Sequence, residues 1–290
     1  MRPSIGIVGQ GFVGGSVYSV LSQYESIGTY DLEPSKSNTE SLAHLVDQSD
    51  IIFVSVPTPM KETGECYTGI VEDVLSYINE YAAGDKIVIT KSTVPPGTHS
   101  EWNQKYKNLS IVFNPEFLTE ANAEEDFRTQ RYIILGSDCQ EYSEKAKEAF
   151  VLAFPEDYVS YLYCSYEEAE AIKYFRNTFL SVKLSFCNEY YNLCKSFGID
   201  YDLVATIAHM DERLGNSHYK VPGPDGDMGF GGHCFPKDIK ALMYACKSNN
   251  IECDMLDAAW NINTKFRKNK DWEDMEGRAV IKEKNNEHLQ

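Results

Sequence analysis

Apolar residues recur along the first half of the chain in short runs that are separated by amphipathic segments. The runs at 4–8, 51–56 and 87–90 are almost continuously apolar, as is typical of strands that are buried on both faces of a sheet. Further short runs of this kind lie at 27–31, 110–113 and 132–135. The segments 14–24 and 70–81 have the spacing of amphipathic helices. Strands and helices are therefore expected to alternate.

This alternation predicts a doubly wound parallel sheet of the α/β class, a Rossmann-type fold, over residues 1–164. The pattern then changes, because 167–197 contains neither Pro nor Gly and is followed by Gly198, a typical helix terminator. We expect a mostly helical central domain over 165–266, with a long central helix and a charged tail at 267–290. Shorter helices are predicted at 201–209, 237–248 and 256–266.

Length and charge limit the classes of function. A chain of 290 residues is long enough for two domains, and 42% hydrophobic residues suffice for packed cores. No run approaches the ~18 apolar residues of a membrane helix, and the N-terminus lacks a signal-peptide pattern, so we expect a cytoplasmic protein without a membrane partner. The formal net charge of −17 argues against a nucleic-acid partner, although helix N-termini and local lysines still allow an anionic small ligand.

The eight cysteines include no CxxC pair, which argues against a zinc ribbon, and we expect no metal site. Most of them are expected to be buried small hydrophobes in a reducing compartment. Cys187 and Cys194, which lie within the long helical segment, are predicted to be core residues.

The segment 9–14 reads GQGFVG and has the pattern G-x-G-x-x-G between a predicted strand and a predicted helix. In such loops the first glycine permits a tight turn, the second lets a pyrophosphate approach the backbone, and the third lets helix and strand pack. We therefore predict a dinucleotide-binding loop formed by Gly9, Gly11, Phe12, Val13 and Gly14.

An acidic residue is expected about 20 residues after this loop, at the end of the second strand, where it binds the ribose hydroxyls. Asp31 occupies that position and Lys36 follows it. An acid there favours NAD over NADP, since it repels a 2′-phosphate.

Two proline-containing loops follow buried strands, at 56–59 and 91–98. Ligands of open α/β sheets lie outside the carboxyl ends of the strands. Thr58 and Thr93 are therefore expected to border the cofactor, although both loops also read as ordinary turns.

The segment 229–238 reads GFGGHCFPKD and places one cysteine in a glycine-rich turn, close to a cation and a carboxylate. Glycines allow a ligand to approach the backbone, and a nearby positive charge favours the nucleophilic thiolate. Cys234 is thus a candidate nucleophile. Taken alone, the segment also fits a loop cysteine beside a chance Lys–Asp pair.

Together, these motifs resemble the UDP-glucose/GDP-mannose dehydrogenase family, most closely its UDP-glucose 6-dehydrogenases. The matching stretches follow the family order and are GQGFVG (9–14), SVPTP (55–59), KSTVPPGT (91–98), NPEFLTEANAEEDF (114–127), EAIKYFRNTFLSVKLSFCNE (170–189) and GFGGHCFPKDIKAL (229–242). The resemblance implies oxidation of a sugar-nucleotide alcohol to a carboxylate, in two hydride transfers to NAD, with an active-site cysteine that holds the intermediate.

The resemblance also assigns catalytic roles. Cys234 matches the nucleophile that forms a thiohemiacetal and then a thioester. Lys173 and Asn177 match a pair beside the reacting carbon, and their i, i+4 spacing places both on one helix face, where they can stabilise an oxyanion. Asp238 matches a carboxylate that assists proton transfer or orients water. Thr93 and Glu120 match the pair that activates water for thioester hydrolysis.

Binding residues are implied in the same way. For the cofactor these are Thr58, Thr93, Glu120 and Lys237, besides the loop, Asp31 and Lys36. For the substrate, a UDP-sugar, they are Glu116, Phe117, Leu118, Glu120, Lys173, Asn177, Tyr219 and Gly231. Arg213 either reaches sugar or phosphate, or is a surface residue.

The sequence departs from the family in several places. Most of the family's C-terminal nucleotide-sugar domain has no counterpart after Cys234, and the stretch between Asp31 and Ile51 is short. His233 and Thr119 stand where other residues are common in the family. His233 either tunes the thiolate or is a bystander.

Three functions therefore stay open. The first is NAD-dependent four-electron oxidation of UDP-glucose, and the second is single-step oxidation of a 3-hydroxy acid by Lys173 and Asn177. The third is a non-catalytic NAD-binding partner protein. The apolar residues along 167–197 further predict a homodimer.

Overall fold

The computed structural model describes residues 2–282, which contain seven strands and ten α-helices. The strands are β1 (Ile5–Val8), β2 (Ile27–Tyr30), β3 (Ile51–Val54), β4 (Lys86–Thr90), β5 (Leu109–Phe113), β6 (Tyr132–Gly136) and β7 (Ser160–Cys164). The helices are α1 (Phe12–Leu21), α2 (Leu42–Gln48), α3 (Gly69–Tyr81), α4 (Thr98–Lys105), α5 (Ala123–Arg128), α6 (Gln140–Lys147), α7 (Tyr166–Phe197), α8 (Tyr201–Ala208), α9 (Phe235–Ser248) and α10 (Asp254–Phe266).

The chain divides into two compact units. The first comprises Met1–Thr58 and Thr68–Lys173, and the second comprises Pro59–Tyr67 and Tyr174–Gln290. The division falls within α7, whereas the sequence had suggested a boundary before this helix. All seven strands belong to the first unit, and α8 to α10 belong to the second.

The sheet of the first unit has the order β2-β1-β3-β4-β5-β6-β7. Neighbouring strands are parallel except β5 and β6, which pair antiparallel through Phe113 and Gly136. The predicted Rossmann-type α/β fold is thus confirmed. The sequence did not indicate the reversal at β6, and it did not indicate β7.

Both faces of the sheet are covered, which explains why its central strands are continuously apolar. In β3, Ile51 and Phe53 pack on one face with Val17 of α1 and Phe127 of α5. The alternate residues of β3 pack on the opposite face with side chains of α2, α3 and α4, namely Val46, Leu75 and Trp102. This period of two, with helices on each side, is the doubly wound arrangement.

The second unit includes the segment that follows α10. Trp272 and Ala279 are fully buried there, and Met60 exchanges backbone hydrogen bonds with Ala279 and Ile281. Two apolar side chains and a strand-like pairing thus anchor the segment 267–282, which the sequence had suggested to be part of a charged tail. Residues 283–290 lie outside the described part of the chain. Among the described helices, none is long and apolar enough to cross a membrane.

Candidate functional site

The three glycines of the 9–14 loop meet three different steric demands. Gly9 has φ +89°, and a Cβ there would lie 2.7 Å from the carbonyl oxygen of Ser55. A Cβ on Gly14 would lie 1.9 Å from the carbonyl oxygen of Gly9. The Cβ position of Gly11 is open, with no described atom within 4 Å. The loop thus turns tightly, packs against the sheet and leaves open backbone at the start of α1, as a pyrophosphate requires.

Asp31 follows β2 directly and is hydrogen-bonded to this loop. Its Oδ2 accepts a hydrogen bond from the backbone N–H of Gln10 at 2.6 Å, and its Oδ1 accepts one from Glu33 at 2.9 Å. Lys36 lies on an exposed turn and forms an ion pair with Glu33 at 2.6 Å. The carboxylate therefore lies where a ribose would meet it, while Lys36 remains at the surface.

The loops after β3 and β4 lie side by side. The hydroxyl of Ser92 donates a hydrogen bond to the carbonyl oxygen of Val56 at 2.7 Å. Thr58 and Thr93 are both buried in these loops. Thr58 follows β3 and Thr93 follows β4; both strands run parallel to β1, so the two residues lie at the same carboxyl edge of the sheet as the glycine loop. The glycine loop, Asp31, Thr58 and Thr93 are therefore suited to bind a dinucleotide.

Three charged side chains are buried together in the first unit. Lys91, Glu116 and Lys173 are each less than 8% exposed. The pKa of Lys91 is lowered to about 8, chiefly by burial and also by the like charge of Lys173; the opposing attraction of Glu116 is too weak to offset these two effects. Lys91 donates to Oδ1 of Asn114 at 2.6 Å. The sequence had assigned a role to two of these charges but none to Lys91.

The loop after β5 presents the other predicted residues of the first unit. Lys173 donates a hydrogen bond to the carbonyl oxygen of Glu116, and its Nζ lies 5.5 Å from the centre of the Phe117 ring. The N–H of Leu118 donates to Oε1 of Glu116 at 2.9 Å. Glu120 lies in an exposed turn. The structure thus brings Lys173 together with residues 116–118, and it places Glu120 at the surface.

A buried carboxylate, which the sequence did not single out, anchors the loop of Thr93. Glu170 is completely buried and accepts hydrogen bonds from the N–H groups of Gly97 (2.6 Å) and His99 (2.9 Å). Its Oε1 also lies 2.6 Å from Nδ1 of His99. Glu170 precedes Lys173 by one turn of α7, so this network fixes the loop relative to that lysine. From the sequence, a glutamate in a helix is expected at the surface, and no sequence pattern indicated that Glu170 contacts Gly97 and His99.

In the second unit, Cys234 is the N-cap residue of α9. The Cys234 side chain is half-buried, and Pro236 stands in the first helical turn. A helix N-terminus favours the thiolate because the partial charge of its N–H groups is positive. The helix begins at Phe235, two residues before the predicted start, and Pro236 was the signal for this boundary.

Lys237, Asp238 and Asn177 form a buried polar group beside this cysteine. Asp238 accepts from Nζ of Lys237 and from Nδ2 of Asn177, both at 2.6 Å. Burial lowers the pKa of Lys237, but the attraction and hydrogen bond of the Asp238 carboxylate, with smaller attractions from the Cys66 and Cys234 sulfurs, outweigh it, so the pKa lies above its ordinary value. Lys237 therefore stays a cation, which favours negative charge on a neighbouring sulfur.

The remaining predicted residues of the second unit have contacts of their own. Tyr219 is half-buried and stacks on His209 at 3.9 Å between ring centres. Arg213 is exposed and paired with Asp211. A Cβ on Gly231 would lie 2.1 Å from Nη2 of Arg267, so that side of the glycine is already covered. Cys187 and Cys194 are buried core residues, as predicted.

Two family models match the chain. Residues 30–152 match the NAD binding domain of the UDP-glucose/GDP-mannose dehydrogenase family, and residues 167–265 match its central domain. The glycine loop at 9–14 precedes the first match, so its assignment depends on the geometry described above. The matched domain identifies the dinucleotide as NAD.

Similar proteins point to the same family. A UDP-glucose 6-dehydrogenase of Bacillus subtilis, TuaD, is 33% identical over 79% of this chain and 49% of its own length. The chain thus spans about half the length of the curated relatives it matches. A UDP-glucose dehydrogenase from the archaeon Pyrobaculum islandicum superposes with a TM-score of 0.81 at 26% identity, over 91% of this chain and 68% of that one.

A 3-hydroxyisobutyrate dehydrogenase of Mycobacterium tuberculosis also has this fold. Its TM-score is 0.73 over 91% of this chain and 94% of that one, at 16% identity. So low an identity shows a shared fold alone.

Proposed function

This chain belongs to the UDP-glucose/GDP-mannose dehydrogenase family, and we propose on that basis that it oxidises UDP-glucose to UDP-glucuronate through Cys234. The observation that carries the proposal is the setting of this thiol. Cys234 is the N-cap residue of α9 and lies near the buried cation Lys237. Both features favour a thiolate, which a simple alcohol dehydrogenation does not need.

The proposed reaction has two oxidations and one hydrolysis. In the first oxidation the sugar alcohol carbon loses a hydride and its oxygen loses a proton, which gives an aldehyde. The Cys234 sulfur then bonds to the aldehyde carbon, whose oxygen takes up a proton to form a thiohemiacetal. Loss of a second hydride and of that proton gives a thioester. Water then replaces the sulfur and yields the carboxylate. NAD, when bound, accepts the hydride of each oxidation.

The side chains of the second unit support the sulfur chemistry. Asp238 is held by Lys237 and Asn177, so its carboxylate is fixed as an acceptor that can orient a hydroxyl or a water. We assign Asn177 the donation of a hydrogen bond towards the developing oxyanion, with Asp238 fixing the orientation of its amide. These are positioning and proton-transfer roles, and Cys234 alone forms the covalent bond.

The first unit supplies cofactor binding and further polar groups. The glycine loop and Asp31 bind the pyrophosphate and the ribose, with Thr58 and Thr93 beside them. Lys173 is a buried cation and would stabilise an oxyanion. Thr93 and Glu120 are assigned to water activation during thioester hydrolysis, and Glu116, Phe117 and Leu118 to binding of the nucleotide sugar.

Replacing the nucleophile tests the proposal. Cys234→Ser should abolish formation of UDP-glucuronate, measured by mass spectrometry, while calorimetry should show unchanged NAD affinity. Cys246→Ser is the matched control, because it replaces a half-buried free thiol on the same helix. Undiminished acid formation by Cys234→Ser would overturn the role of the thiol.

The same assay separates the two other functions. NADH formation with small 3-hydroxy acids, unchanged in Cys234→Ser, would favour a single-step dehydrogenase. NAD binding by the wild-type chain without turnover of any nucleotide sugar would favour a non-catalytic role. The cytoplasmic location stays a prediction.

We also propose that the protein is a homodimer that associates through α7. An apolar stripe on this helix is exposed, with Phe175 at 71%, Phe179 at 58% and Phe186 at 62%. Tyr190, Leu193 and Phe197 continue it at spacings of three and four residues. So large an apolar stripe on a helix is typical of an interface.

Sedimentation tests the dimer. Phe186→Asp should convert a dimer to a monomer at micromolar concentration, because it places a charge within the stripe. Ser196→Asp, an exposed position on the same helix, should leave the dimer intact. A wild-type chain that sediments as a monomer at every concentration would contradict the proposal.

A further inference from the structure

The glycine-rich loop that leads to Cys234 is held by side chains rather than by a sheet or a helix. The N–H of Gly229 donates to Oδ1 of Asn188 at 2.9 Å, and the N–H of Phe230 donates to Oδ1 of Asn263 at 2.7 Å. Asn263 also donates back to the carbonyl oxygen of Phe230 at 3.0 Å. These contacts fix the first part of the loop to α7 and α10.

The last part of the loop is held by the segment after α10. The N–H of Gly232 donates to Oδ2 of Asp271 at 3.0 Å, only two residues before Cys234. Asp271 is in turn held through Oδ1 by Nη2 of Arg267 at 3.1 Å. Arg267 is 4% exposed and also pairs with Asp225 at 2.6 Å.

Arg267 and Asp271 lie directly against the loop. A Cβ on Gly231 would fall 2.1 Å from Nη2 of Arg267 and 2.4 Å from Oδ1 of Asp271. The loop can therefore lie this close to the ion pair only because position 231 is a glycine. A second contact lies beside it, where Asp227 accepts from the N–H groups of Lys268 and Asn269 at 2.9 and 2.8 Å.

The segment that carries Arg267 and Asp271 is itself anchored. Trp272 is 2% exposed and packs on Trp260 of α10, with ring centres 5.7 Å apart. Further on, the backbone of Met60 is hydrogen-bonded to Ala279 and Ile281. The segment of the ion pair is thus held by packing and backbone hydrogen bonds, although it lies beyond the residues matched to the family's central domain, 167–265.

We infer that Arg267 and Asp271 are positioning residues for Cys234, and that the segment 267–282 sets the geometry of the nucleophile. This inference rests on the proposed function for its kinetic consequence, but its structural content does not. If Asp271 is lost, Gly232 loses its acceptor, and the turn that places Cys234 at the N-terminus of α9 relaxes. The sulfur then moves away from the helix N–H groups and from Lys237. Displacements of about 1 Å can cost a hundredfold in rate.

The test measures the thiol first, because this readout needs no turnover. Alkylation of Cys234 by iodoacetamide is followed by mass spectrometry of its peptide from pH 5 to pH 10. In Asp271→Ala the midpoint of the pH–rate profile should move to higher pH, since the displaced thiolate loses its positive surroundings. Asp274→Ala is the matched control, an exposed aspartate in the same short turn, and should retain the wild-type profile.

Kinetics then separate positioning from a general structural role. In Asp271→Ala, kcat for UDP-glucose should fall at least tenfold (about 1.4 kcal/mol), while KM for NAD stays within about twofold because the first unit is untouched. Asp271→Asn keeps an oxygen for Gly232 but loses the charge that faces Arg267. Its kcat should therefore lie between those of the wild type and of Asp271→Ala.

The outcomes are distinct. A wild-type alkylation profile and kcat in Asp271→Ala would overturn the inference. If Asp271→Ala does not fold, Arg267→Lys serves instead, because a lysine keeps the charge but cannot bridge Asp225 and Asp271 as a guanidinium does. A wild-type alkylation profile in Arg267→Lys would also overturn the inference. If the wild type oxidises no nucleotide sugar, the proposed function fails, and the alkylation profiles still decide the role of Asp271.

Discussion

Replacing Glu170 tests how the first unit holds its buried polar groups. This carboxylate is completely buried and accepts from the N–H groups of Gly97 and His99, at 2.6 and 2.9 Å on different oxygens. Glu170→Gln keeps the shape but exchanges one oxygen for an NH2 group, which can only donate. In either orientation of the amide, this NH2 faces a backbone N–H that has lost its acceptor.

The expected loss follows from that single unsatisfied donor. A buried N–H without a partner costs about 1–3 kcal/mol, so we expect the free energy of unfolding to fall by about 2 kcal/mol. With a slope of about 2 kcal/mol per molar urea, the unfolding midpoint should fall by about 1 M. Glu167→Gln is the control, because Glu167 is exposed on the same helix and accepts from the hydroxyl of Ser100. Such surface changes stay within about 0.5 kcal/mol.

Urea unfolding monitored by circular dichroism measures the midpoints, and hydrogen exchange locates the effect. Amides of peptides that cover 94–102 and 166–174 should exchange faster in Glu170→Gln than in Glu167→Gln, because the loop is no longer fixed to α7. Equal midpoints and equal exchange in the two variants would refute the reasoning, since the buried carboxylate would then not be needed as an acceptor.

Two further predictions concern the first unit. Because the pKa of Lys91 is about 8 in the folded chain and 10.5 when exposed, the unfolded chain binds more protons between these values, and this residue's contribution to the free energy of unfolding rises with pH. Relative to Lys91→Met, the wild type should therefore gain up to about 3 kcal/mol between pH 8 and 10.5 in urea titrations; a constant difference would contradict the burial of a titrating lysine. Gly14→Ala should abolish NAD binding measured by calorimetry, since its Cβ would lie 1.9 Å from a carbonyl oxygen, whereas Gly15→Ala on the same helix meets no described atom within 4 Å and should stabilise α1 by up to about 1 kcal/mol. Equal NAD affinity in the two alanine variants would contradict the assignment of the loop.

The sequence predicted the strands that are buried on both faces, because continuous apolar runs have few other interpretations. It missed α2, α4, α5 and α6, which have six to eight residues each and, apart from α2, few apolar positions. Such helices are stable through tertiary packing rather than propensity. The edge strand β7 was missed for a related reason, since Leu162 and Tyr163 are both partly exposed and give no alternation.

The candidate site was predictable where its residues form a motif, as in the glycine loop and the segment around Cys234. It was not predictable where a residue acts through distant partners. Glu170 bonds to residues about 70 positions earlier, and Asp271 bonds to Gly232, 39 positions earlier. Neither has a local signature, because their role depends on contacts that exist only in the folded chain.

The most direct test of the account is the amount of NADH formed when UDP-glucose is supplied in limiting amount to the purified chain with excess NAD. The two-step oxidation through Cys234 predicts a ratio of two NADH per UDP-glucose, with UDP-glucuronate as the product. A ratio of one, with an aldehyde released, would contradict the thioester, and no NADH despite intact NAD binding would contradict the proposed activity altogether.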